Sequence, residues 1–207
     1  MTLHSDVAEL LAGAGIVDVD LDDAVADEHV RSSAYQRVIS VTASSRSRDR
    51  DRAIVATILR DPNEMTSKTA VVALVDSIAM KVSGPAEWRQ WSAELLPEID
   101  RLGTEGHRQF ILRRIHDWLL CLSIEDGHVP TPVELAQATH WMQRLLAENS
   151  TSPAVLALLA ESAGSRKIRN IAKNRAGTAS RERSGHAGSS TGRARDETFR
   201  PSPGAGP

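Results

Sequence analysis

Three leucines set the frame of this chain. Leu59, Leu102 and Leu146 each close a run of helically spaced apolar residues, and they are separated by 43 and 44 residues. A short polar break follows each one (RDPN, GTEG and AENSTSP), and another apolar run follows each break. Val71, Leu74, Val75, Ile78 and Val82 form one stripe, and Trp88, Trp91, Leu95, Ile99 and Leu102 a second. Ile111, Ile115, Trp118 and Leu122 form a third, and Leu135, Thr139, Met142 and Leu146 a fourth. Recurrence at i, i+3 and i+4 marks one face of an α-helix. Only VISV at 38–41 imitates a strand. The expectation is an all-α chain whose middle holds three antiparallel helix pairs: 47–60 with 63–82, 86–102 with 105–124, and 132–148 with 153–163.

Helix starts are marked by proline, whose missing N–H costs nothing at the first helical position. DPNE, Asp61–Glu64, offers an aspartate cap with a glutamate three residues on, and TPVE, Thr131–Glu134, repeats that spacing with threonine. SGPAE and TSP are looser versions, and Pro97 predicts a kink or restart. TPVELAQATHWMQRLL opens like the first helix of a helix-turn-helix, but that motif needs a short turn. The apolar spacing runs on through Trp141 and Met142, which predicts one continuous helix.

The stretch ILRDPNEMTSKTAVVALVDSIA, Ile58–Ala79, resembles a HEAT unit. It has a leucine-ended first helix, a D-P-N turn, and a second helix with Ala70 and Leu74 on its packing face. The second and third units lack the aspartate and asparagine at the turn. The resemblance covers about Arg48–Arg175 and implies a short solenoid of helix pairs, with an irregular helical bundle as the alternative.

Charge divides the rest. Net charge is −2, yet residues 1–30 hold eight acids (Asp6, Glu9, Asp18, Asp20, Asp22, Asp23, Asp27 and Glu28) and no Lys or Arg. Residues 165–200 hold ten bases against three acids. The organisation read from this is an acidic, peripheral N-terminal helical segment over 1–45, a helical-hairpin domain over 46–175, and a tail over 176–207. The tail is rich in Gly, Ser, Arg and Pro, too poor in apolar side chains to offset its ordering entropy, so disorder is expected. Cys121 stands alone, which excludes an intramolecular disulfide and any multi-cysteine metal site. No basic leader precedes an apolar core at the N-terminus, and no apolar run is long enough to cross a membrane. The expected location is cytoplasmic.

A catalytic or cofactor site finds no residues to stand on. His107, His116, His128 and His140 cluster in the sequence, but His116 and His140 have no ligating partner at helical offsets. Cys121 sits between Leu120 and Leu122 with no neighbouring base, and GAG at 13–15 follows no strand. No metal, no cofactor and no enzymatic activity are expected. Of the four tryptophans, Trp141 is offset from the Leu135–Met142–Leu146 face and is the candidate partner anchor, since tryptophan is enriched at binding hot spots. The segment Ser165–Arg175 has Ile168, Ile171 and Ala172 as a narrow apolar stripe. Arg166, Lys167, Arg169, Lys173 and Arg175 surround it as candidate polyanion contacts. The functional expectation is a protein-interaction scaffold with an unidentified protein partner. The alternative is a nucleic-acid-associated accessory protein using 166–175 and the Arg-containing tail, with weak contact. Pairing of that basic segment with the acidic N-terminus is a third possibility.

Overall fold

The computed structural model describes residues 2–187, and within them it contains eleven helices and no strand. Helices α1 (Leu3–Ala14), α2 (Leu21–Ala26) and α3 (Glu28–Ser44) come first. Then follow α4 (Asp51–Ile58), α5 (Glu64–Ala79), α6 (Pro85–Ile99) and α7 (Glu105–Glu125). The last four are α8 (Pro132–Gln137), α9 (His140–Asn149), α10 (Pro153–Ser162) and α11 (Arg166–Ala187). Helix α3 packs on α5, α5 on α7, α7 on α9 and α9 on α11. Behind that row, α4 packs on α6 and α8 on α10, while α4 meets α5 and α6 meets α7 as hairpins. The result is a two-layered row of helix pairs with its core between the layers.

One continuous apolar cluster runs from Val7 in α1 to Ala172 in α11. The N-terminal segment therefore stands at one end of the row without being loosely attached: Val7, Leu10, Leu11, Tyr35 and Val38 are all buried. Its acids pair locally. Arg60 binds Asp6 at 2.6 Å and Arg37 binds Asp18 at 2.5 Å. Basic α11 packs instead on α9 and α10, and among the described residues no ion pair joins it to those acids.

Three local readings change. At DPNE the cap is Asn63, whose side chain accepts from the amides of Met65 and Thr66. Asp61 is buried and receives Arg31 Nε at 2.7 Å and Tyr35 Oη at 2.9 Å, so it joins α3 to the α4–α5 turn. Glu64 reaches across to α7, as described below. Thr131 does cap α8 in a full capping box with Glu134. Pro97 lies inside the last turn of α6, which continues to Ile99 without restarting.

The third change is larger. Residues 132–148 do not form one helix; they break at Ala138, whose extended backbone (ψ 143°) separates α8 from α9. Thr139 caps α9, and both its amide and its hydroxyl donate to buried Asp117 of α7. Gln143 holds the break from the other side. Its amide nitrogen donates to the carbonyls of Leu135 and Ala138, and its oxygen accepts from Gly164. Three polar partners thus outweigh an apolar spacing that was compatible with continuity. In consequence α10 packs most extensively on α11, not on a long helix before it. Helix α11 also continues beyond Arg175 to Ala187, so helical backbone enters the stretch expected to be a disordered tail. The remainder of that expectation, residues 188–207, lies outside the described residues.

Candidate interaction surface

The outer edge of α7 builds the surface. Ile111, Ile115, Trp118 and Leu122 face the core, and Phe110 and Arg114, one helical turn apart, flank that stripe, Phe110 exposed and Arg114 mostly covered. Met65 and Lys68 of α5 flank them on one side and Trp141 of α9 on the other. Phe110 is 43% exposed and Trp141 39%, while the Arg114 side chain keeps only 13% of its surface.

Cations and rings alternate across three helices. Lys68 Nζ lies 4.9 Å from the Phe110 centroid. The Arg114 guanidinium carbon lies 5.9 Å from the Phe110 centroid and 3.5 Å from that of Trp141. Such contacts are favourable by about 0.5–2 kcal/mol, more as water is excluded. Trp141 meets Trp118 edge to face at 5.7 Å. Trp118 Nε1 donates to Asp76 Oδ1 at 2.7 Å, and Arg114 Nε stands 3.6 Å from the same oxygen. Burial raises the Asp76 carboxyl above the usual aspartate range, against the opposing pull of the Trp118 N–H and the Arg114 charge. Arg114 Nη1 is enclosed and has no hydrogen-bond partner among the described residues. The ladder is held from beneath, and what it exposes is its two rings.

Toward the C-terminal half of α7 the surface deepens into a groove of about 490 Å³ lined by Met80, Trp118, Cys121, Glu125 and Leu145. The Cys121 thiol, 3.8 Å from Glu125, is pushed up to about 12 by burial and then by that carboxylate. A thiol that keeps its proton is a poor nucleophile and metal ligand. Among the described residues no group of three or more His, Cys, Asp or Glu could hold a metal ion. His128 pairs with Glu134 at 3.1 Å, and His107 with Glu64 at 3.2 Å. The latter belongs to a tie between pairs. Thr104 makes no side-chain cap for α7, and Glu64 instead ties down the chain just before that helix by accepting from the amides of Gly103 (2.9 Å) and Thr104 (3.2 Å). Hydrogen bonds from Thr104, and then from Gly103 and His107, hold the Glu64 carboxyl below its usual range.

The five basic candidates of α11 divide. Arg169 Nη1 donates to the Ala163 carbonyl at 2.7 Å, and Arg175 Nη1 to the Ala147 carbonyl at 3.4 Å. Both satisfy carbonyls at the ends of neighbouring helices, which suits the negative end of the helix dipole. Arg166, Lys167 and Lys173 remain exposed. The structure brings Trp141 together with Lys68, Phe110 and Arg114, three residues that sequence reasoning missed. The signal within reach was Phe110 and Arg114 at i, i+4 along the flank of the apolar stripe of α7. Among the described residues, no helix is long and apolar enough to cross a membrane. No protein-family model, no curated protein and no solved structure matches this chain.

Proposed function

We propose that this chain is a non-enzymatic protein-interaction scaffold, a short HEAT-like row of helix pairs that binds a protein partner on the α5–α7–α9 face. The observation that carries this reading is the ladder Lys68–Phe110–Arg114–Trp141, whose two rings are exposed and which Trp118 and Asp76 support underneath. Aromatic and arginine side chains clustered on a rigid base are what binding hot spots consist of. The polyanion alternative is weaker, because two of the five bases in 166–175 already serve carbonyls of the fold.

The test is affinity capture from the native host, with and without nuclease. The wild-type chain is compared with Phe110→Ala/Trp141→Ala and with Arg166→Gln/Lys167→Gln/Lys173→Gln. A partner that survives nuclease, is lost with the aromatic pair and is kept by the basic variant supports the scaffold. Capture that nuclease abolishes, and that follows the basic residues, overturns it in favour of nucleic acid.

A further inference from the structure

The connection between α1 and α2 offers the counterpart of the ladder. Gly15, in the left-handed conformation at φ 69°, ends α1, and Ile16 and Val19 then pack against the core. Val17 stands between them with 94% of its surface exposed. One exposed valine is ordinary. This one sits among Asp18, Asp20, Asp22 and Asp23, all exposed, in a segment of the chain that has no Lys or Arg. The segment is fixed in place: Asp18 is paired with Arg37 of α3, and Asp20 caps α2 through the amides of Asp22 and Asp23.

The ladder has the complementary chemistry. Phe110 and Trp141 offer rings to an apolar side chain, and Lys68 beside Phe110 offers positive charge to carboxylates. Arg114 is mostly enclosed and stands 3.6 Å from Asp76, so it stiffens the Trp141 ring from below while Lys68 and the two rings meet what docks. We propose that the acidic α1–α2 connection of one copy, Gly15–Asp23, docks on the Lys68–Phe110–Arg114–Trp141 face of a second copy. This rests on reading that face as an interaction surface and names its occupant. Because the connection is tied to α3 and to the core, the face it meets belongs to another molecule. The two surfaces differ, so the contact is heterologous and adds copies head to tail. It is small and charged, which makes it weak and sensitive to salt.

The experiment is sedimentation velocity on the full chain, from about 10 to 500 μM, at low salt and at about 0.5 M salt, where screening shortens to a few ångströms. The sedimentation coefficient should rise with concentration at low salt and stay constant at high salt. Asp22→Lys/Asp23→Lys alters exposed side chains and Lys68→Glu a half-buried one, and circular dichroism checks their folding. Each alone should sediment as a monomer, since its two surfaces then carry like charge. An equimolar mixture should again sediment faster than either, because each loop now finds an oppositely charged face. Val17→Ser should weaken the association several-fold. A wild-type chain that stays monomeric, or association indifferent to Lys68→Glu, overturns the docking. The scaffold reading is judged separately, by whether the Phe110→Ala/Trp141→Ala variant loses its captured partner.

Discussion

The row makes the same contact twice, once sealed and once open. Between α4 and α6, Trp91 Nε1 donates to Asp51 Oδ2 at 2.9 Å. Fully buried Trp88 lies against Trp91 at 5.0 Å, and Arg48 pairs with Asp51 at 3.1 Å. Between α5 and α7, Trp118 Nε1 donates to Asp76, again with a second tryptophan against the ring and an arginine beside the carboxylate. Donor, acceptor and neighbours are of the same types. The difference is the second tryptophan: Trp88 ends inside, whereas Trp141 ends at the surface with Arg114 over its ring. One contact joins helices and nothing more. The other joins helices and also presents what it holds.

Breaking the sealed member should do the most damage. Trp91→Ala is expected to cost about 3–5 kcal/mol, and Trp118→Ala a cost at the lower end of that range. Urea unfolding measures both, and a cheaper Trp91→Ala would erase the distinction. Next, Asp51→Ala strands the Trp91 indole N–H where water is scarce and removes one of the partners of Arg48, a loss of about 1–3 kcal/mol. Asp76→Ala, closer to solvent, should lose about 1 kcal/mol in the same assay. If the two match, the second contact is as closed as the first.

Smaller still is Trp141→Ala, which removes an edge-to-face pair valued at about 0.5–1.5 kcal/mol. Its melting temperature should fall by only a few degrees. A loss as large as that of Trp91 would make Trp141 a core residue and remove its claim to a binding role.

The smallest effect is a pH slope. Burial lets folded Asp76 keep its proton to a higher pH than the ordinary 3.8. Between that value and the raised one, the folded chain binds more protons than the unfolded chain. Stability from this group therefore falls as pH rises through the window. Asp76→Asn should flatten the decline in melting temperature as pH rises above 3.8. Asp51 and Asp117 are raised by burial too, so part of the slope should persist. An unchanged slope would assign all of it to those two.

What the sequence revealed follows the range of the physics involved. Stripes, prolines and the Thr131–Glu134 box act within a few residues, and they locate α4 to α7 and the start of α8 with little error. The break at Ala138–Thr139 depends on Asp117, 22 residues away, and on a glutamine bridging to Gly164. Local spacing cannot contain that information, and Thr139 passed for a member of an apolar stripe. Asp61 misled for the same reason, since its partners Arg31 and Tyr35 lie 30 and 26 residues back. Trp141 was legible because an offset from a stripe is a local property. Its association with Lys68 was not, because that requires the register of three helices.

One consequence of the row concerns how such a chain is made. Its seams join residues at nearly constant reach: Trp91 to Asp51 across 40 residues, Trp118 to Asp76 across 42, Gly103 to Glu64 across 39. Contacts confined to neighbouring units favour folding that spreads from one pair to the next. A chain emerging N-terminus first can thus fasten each seam about forty residues after opening it. The glutamate, the aspartates and the indoles act as successive teeth of a zip that closes behind the growing end.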